Sequence, residues 1–147
     1  MFQEVQVSQS NFADAEQDVE QAGAICLRRS RKGKLRVLLV GSRRNGRWGL
    51  PKGHVEQSEG SNSAAAREAF EEAGVLGSVE EAVFGTFTYF KDTSTRRYHV
   101  TVHLLTTTSV ARSFPEKAVR KTRWFSLEDA INVASQPGLR ALLQTLT

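Results

Sequence analysis

The stretch Gly53-His54-Val55-Glu56-Gln57-Ser58-Glu59-Gly60-Ser61-Asn62-Ser63-Ala64-Ala65-Ala66-Arg67-Glu68-Ala69-Phe70-Glu71-Glu72-Ala73-Gly74-Val75 decides how this chain is read. Ala64, Ala65, Ala66, Arg67 and Glu68 are strong helix formers, so a helix is expected from Ser61 to Ala73. Ser61 fits the N-cap and Gly74 the C′ position, while residues 53–61 read as loop. At about 100° per residue, Glu68, Glu71 and Glu72 fall near 0°, 300° and 40°, one carboxylate face. Ala66, Ala69, Phe70 and Ala73 fall at about 100° to 200°, giving the opposite, packing face. Three carboxylates at that spacing repel one another, and no basic residue is expected at the same angles. A divalent cation of the Mg²⁺ or Mn²⁺ type, completed by water and phosphate oxygens, is the natural neutraliser.

Working outward, residues 22–27 and 35–40 are apolar β-type runs separated by the basic turn Arg31-Lys32-Gly33-Lys34, which predicts a hairpin. Asn45-Gly46 marks another turn. Residues 83–90 and 98–105 predict a second hairpin, and Trp124-Phe125 a short strand. Ser126 to Asp129 has a capping-box pattern opening a helix. Gln136-Pro137-Gly138 is expected to break it before a last helix over residues 139–146. Residues 1–20, rich in Gln, Glu, Asp and Ser, read as an N-terminal extension, and residues 21–147 as one domain. Hairpins mixed with helices predict a sheet covered by helices on its faces.

A chain of 147 residues fits a single core, and its 39% hydrophobic and 24% charged residues are those of an ordinary globule. No apolar run approaches the ~20 residues of a membrane span. The N-terminus lacks the pattern of a signal peptide, and Cys26, the single cysteine, reads as a buried thiol. A cytoplasmic protein is the expectation. The net charge is only +4, yet ten basic residues run from Arg28 to Lys52 without an acidic one. A second cluster is Lys117, Arg120, Lys121 and Arg123. Solvated surface charge is one reading; a positive field drawing in a polyanion is the other. The carboxylate face favours a small polyphosphate over nucleic acid as that partner.

The opening stretch matches G-x5-E-x7-R-E-U-x-E-E-x-G-U at all seven fixed positions, with Val75 in the second apolar slot and the smaller Ala69 in the first. At about 6% per fixed residue, chance agreement is roughly 10⁻⁹ to 10⁻⁸ at one start. The chain thus resembles the Nudix (MutT-type) hydrolases. That resemblance implies an α/β fold, an α/β/α sandwich with a mixed β-sheet and a loop-helix-loop motif. It implies metal-dependent cleavage of a phosphoanhydride in a nucleoside- or polyol-diphosphate-X. By the same resemblance Glu68 and Glu72 are metal ligands, and Glu71 is a ligand or the base that activates water. Family members differ over which carboxylate is the base. The Lys52 carbonyl faces a metal, and Arg67 orients carboxylates with Glu59 as its partner. Glu68, Arg67 and Glu71 form the expected catalytic set. Glu116, in Phe114-Pro115-Glu116, is a candidate further ligand, or else a surface residue after a proline.

Lys52, Arg44 and His54 are the candidate substrate-binding residues, although a lone loop histidine is as readily solvated. Pro51-Lys52-Gly53-His54-Val55-Glu56 is similar to the same stretch of diadenosine tetraphosphate hydrolases. Gly23-Ala24-Ile25 and Arg123-Trp124-Phe125-Ser126-Leu127-Glu128-Asp129-Ala130 look more like the diphosphoinositol polyphosphate phosphohydrolases. This likeness covers roughly residues 20–147, and the basic load suits a substrate with four or more phosphates. Two rivals stand beside it. One is a non-catalytic nucleotide-binding regulator, which would be expected to have lost box carboxylates. The other is an RNA 5′-pyrophosphohydrolase, for which no RNA-binding motif is present. His99 and His103 read as packing or surface residues, and Phe87, Tyr89 and Tyr98 as core aromatics that could also stack a base.

Overall fold

In the computed structural model the described residues are 18–91 and 95–147. Of the expected N-terminal extension, residues 1–17 lie outside them; a strand already begins at Asp18. The elements run β1 (Asp18–Arg29), β2 (Leu35–Gly41), β3 (Trp48–Gly49), β4 (Lys52–His54), α1 (Ser61–Ala73), β5 (Val75–Val79), β6 (Gly85–Phe90), β7 (Arg97–Val110), β8 (Thr122–Ser126), α2 (Leu127–Val133) and α3 (Pro137–Gln144).

Both expected hairpins form, with Cys26 opposite Leu38 in β1–β2 and Phe87 opposite Val100 in β6–β7. β1 and β7 then lie side by side in parallel, from Asp18 opposite Arg97 to Leu27 opposite Thr106. Every other pairing is antiparallel, so the sheet is mixed. Strand alternation sends successive side chains to opposite faces. Ala22, Ala24, Cys26, Leu38, Val40 and Leu105 pack beneath α1, against Ala64, Ala65, Ala69 and Ala73. Ile25, Val37, Leu39, Val100 and Val102 meet Leu139 and Leu143 of α3 and Ala130 of α2 on the other face. The alanines of α1 let it lie close to the sheet, which brings the glutamates of its flank against β4.

Besides the unexpected strand β5, four details of the fold depart from the sequence expectations. Residues 52–54 are not loop but a strand, pairing antiparallel with β1 through Gln21–His54 and Gly23–Lys52. Gly60, not Ser61, is the N-cap, because the Ser61 hydroxyl is 2.7 Å from Nε2 of buried His103. The Glu80 carbonyl can only accept, so Nδ1 of His103 donates to it and Nε2 accepts from Ser61. Third, α1 is rotated from the expected orientation: Ala66 and Phe70 are half-exposed, whereas Glu68 and Glu72 are buried. Fourth, Pro137 opens α3 instead of merely breaking α2, as its missing N–H permits at a first helical position. Ser126 caps α2 as expected, accepting from the Asp129 amide at 3.1 Å.

Candidate active site

Glu68 and Glu72 reach the site because one turn of helix separates them on the flank of α1 that faces β4. Gly53 permits that approach: a Cβ there would lie 2.3 Å from the Glu68 carboxylate carbon. At the helix C-terminus Gly74 takes φ 70°, and a Cβ would lie 2.4 Å from Cδ1 of Phe114. The chain turns sharply there, and the Glu116 amide donates to the Glu71 carbonyl at 2.9 Å. That bond fixes the segment carrying Glu116 and Arg120 onto α1.

Arg67 gathers the other flank. Its Nε and one terminal nitrogen donate to both oxygens of Glu59, at 2.8 and 2.9 Å. The other terminal nitrogen donates to Glu68 at 3.1 Å and lies 3.4 Å from Glu71. The His54 carbonyl accepts a further bond at 3.0 Å. Glu59 in turn accepts from the Glu56 amide, which closes the loop between β4 and α1. The Arg67 guanidinium, with the Glu56 amide, holds the Glu59 carboxyl well below the usual range, at about 2.

Contrary to the sequence expectation, the carboxylate face does have basic neighbours. Arg67 sits beside Glu71 at i,i+4, about 40° around the helix. Arg120 arrives from outside the helix, with Nε 2.8 Å from Glu116 and 3.6 Å from Glu72. The sequence placed Arg120 only within a basic cluster; its i,i+4 spacing from Glu116 was the available signal.

Glu72 is 3% exposed. Burial pushes its carboxyl up to about 8, with Arg120 and Lys52 pulling down and Glu68 and Glu116 pushing up. Burial and then Glu71 raise Glu68 as well. Lys52 is lowered by burial against the pull of Glu72, and its ammonium lies 4.8 Å from the Tyr89 ring centroid. Carboxylates buried side by side ionise together only when a cation offsets their charge, and otherwise keep a proton.

Among the described residues, no three acidic, histidine or cysteine side chains form a closed cage for a metal. Mg²⁺ needs none, since it commonly takes one or two carboxylates and completes its octahedron with water and phosphate oxygens. The all-oxygen donors Glu68 and Glu72, and the close approach of Gly53 to Glu68, fit such an ion.

These groups open onto a cleft of about 1020 Å³. Its lining includes Glu68, Glu72, Glu116 and Arg120, together with Arg43, Arg44, Arg47, Lys52, His54 and Lys91. Of the ten uninterrupted basic residues only the last four reach this lining. Arg28, by contrast, stacks on Trp124, 3.9 Å from its ring centroid. Glu71 is the most exposed of the three glutamates and lies outside the lining. His103 is buried and His99 pairs with Asp18, so neither histidine belongs to the cleft. Phe87 is core, whereas Tyr89 lines the cleft and stacks on Tyr98 with ring centroids 5.0 Å apart. Cys26 is buried, and burial pushes its thiol up to about 12.

A carboxylate-flanked helix behind a glycine strand, in a mixed sheet sandwiched by helices, defines a class. The sequence model of the NUDIX domain matches residues 19–146, and the chain belongs to that family. It is a Nudix hydrolase, and its curated relatives are named as phosphohydrolases. Diphosphoinositol polyphosphate phosphohydrolase 3-beta of Bos taurus is 35% identical over 128 residues, spanning 86% of this chain and 75% of the relative. The 3-alpha protein of Homo sapiens is 34% identical over the same shares. Among solved structures, a binary complex of the C. elegans Ap4A hydrolase superposes with a TM-score of 0.69 at 28% identity, covering 87% of this chain and 94% of that one.

Proposed function

We propose that this chain is a divalent-cation-dependent pyrophosphohydrolase of a highly phosphorylated small molecule, a diphosphoinositol polyphosphate or a dinucleoside polyphosphate. The observation that carries the reading is the cleft, whose lining combines buried Glu68 and Glu72 with Arg43, Arg44, Arg47 and Lys91. Carboxylates supply a metal site; arginines and lysines supply the counter-charge for several phosphates. The relatives named for diphosphoinositol polyphosphates and for Ap4A support the same substrate class.

Mg²⁺ or Mn²⁺, when bound, polarises phosphoryl oxygens and acidifies a water. Glu68, Glu72, the Lys52 carbonyl and Glu116 are the groups that would hold it. Arg67 keeps Glu68 and Glu71 in place through its anchor on Glu59. Glu71, 3.4 Å from Arg67 and the most exposed of the three, would be a further ligand or the base that takes a proton from the attacking water. Lys52, Arg44 and His54 receive the phosphates, with Lys52 fixed against Tyr89. No nucleophilic side chain takes part.

The test is a substrate panel with Mg²⁺ or Mn²⁺: a diphosphoinositol polyphosphate, diadenosine tetraphosphate, ADP-ribose and a 5′-triphosphorylated RNA, with products identified by mass. Turnover of either of the first two above the others is the expected result. A clear preference for ADP-ribose or RNA contradicts the substrate class. Binding without turnover of any of them returns the non-catalytic reading.

A further inference from the structure

Among the described residues, Arg120 is a cation that reaches Glu72 from outside α1 and the loop before it. Its Nε donates to Glu116 at 2.8 Å and lies 3.6 Å from Glu72 Oε1, while a terminal nitrogen donates to the Gly41 carbonyl at 3.2 Å. Its side chain is 18% exposed, and it faces a Glu72 side chain that is 4% exposed. Arg67 is committed differently, gripping both oxygens of Glu59, and removing it would open the loop. Arg120 holds Glu116 by one hydrogen bond and approaches Glu72 only to 3.6 Å, beyond hydrogen-bonding distance. A contact of that kind is exchangeable.

We propose that Arg120 is an internal counter-cation that occupies Glu72 and Glu116 in the metal-free protein and is displaced from them when the divalent ion binds. This rests on the reading of Glu72 and Glu116 as metal ligands. A positive group already in contact with both carboxylates keeps the site folded without metal, and the incoming ion must compete with it. The Gly41 carbonyl gives the displaced guanidinium a place to remain anchored.

The experiment is a calorimetric titration of MnCl₂ into substrate-free protein, for wild type, Arg120→Met and Arg120→Lys. Met keeps an unbranched stem as far as the Nε position and removes the charge; Lys keeps the charge and loses the planar fork. Arg120→Met should bind Mn²⁺ about 10-fold more tightly than wild type, and Arg120→Lys should fall between the two. In chelator at pH 9, Arg120→Met should melt below wild type, and saturating Mn²⁺ should raise its midpoint by more. If Arg120→Met does not fold without metal, Arg120→Lys must still bind more tightly than wild type. Equal or weaker Mn²⁺ binding by the variants overturns the displacement and leaves the metal site standing. Absence of Mn²⁺ binding by wild type overturns both.

Discussion

Burial of Glu72 between α1 and the cleft leaves a carboxyl whose pKa, about 8, stands far above the usual 4.5. The folded, metal-free protein therefore holds a proton there that the unfolded chain has released, across the whole interval between those values. Stability must then fall as pH rises from about 4.5 to about 8. Glu72→Gln removes the titration, so in chelator at pH 9 it should melt higher than wild type, by about 5 °C for a chain of this size. Thermal scans at pH 5 and pH 9 check the sign; saturating Mg²⁺ should reverse the order. Glu59 works the other way, because Arg67 depresses its carboxyl to about 2. Its contribution is complete above the usual 4.5 and disappears as pH falls toward 2. Glu59→Gln should destabilise at pH 7, and scans at lower pH should show the difference shrinking. Glu59, Glu68 and Glu71, the partners of Arg67, were legible in the sequence, since the box fixes their spacing. Arg120 was not, because its partners Glu72 and Gly41 are 48 and 79 positions away.

The helix α1 and the strand β4 act as one unit, since the Glu68 carboxylate rests where a Gly53 side chain would be. Gly53→Ala places a methyl group 2.3 Å from the Glu68 carboxylate carbon, so the glutamate or the strand must move. kcat should fall by at least ~10²-fold, the scale of metal-assisted terms, and Mg²⁺ affinity should weaken with it. Steady-state kinetics and metal titration of a variant shown to be folded by circular dichroism check this. The long alternating strands and α1 were readable from hydrophobic period and helix propensity. β4 and β5 were not: Lys52-Gly53-His54 and Val75-Leu76-Gly77-Ser78-Val79 are short or glycine-containing, and their partners β1 and β7 lie well away in sequence. The rotation of α1 was missed for a related reason. Five alanines in the helix leave its apolar stripe weakly marked, and the sheet selects Ala64, Ala65, Ala69 and Ala73.

Across the whole molecule, the parallel pairing of β1 with β7 joins the two hairpins into one sheet, which no local pattern in the sequence announces. It also brings Tyr89 and Lys91 from the second hairpin to the same cleft as Arg43, Arg44 and Arg47 from the segment after β2. Basic charge was read correctly as abundant, but the fold admits only part of it to the cleft. No helix among the described residues is long and apolar enough to cross a membrane. If the cleft charge serves a polyphosphate, kcat/KM should fall more steeply with salt for diadenosine tetraphosphate than for ADP-ribose, because screening at ~0.15 M acts over about 8 Å. Neutralising Lys52 and Arg44 together should weaken the longer substrate selectively, as paired kinetics at low and high salt would reveal. The central claim concerns the carboxylates of α1 and is tested most directly by metal-restored turnover of a diphosphoinositol polyphosphate. Chelator-treated wild type should be inactive, Mg²⁺ or Mn²⁺ should restore it, and Glu72→Gln should recover at least ~10²-fold less. Full activity in excess chelator, or restored turnover of Glu72→Gln equal to wild type, would contradict it.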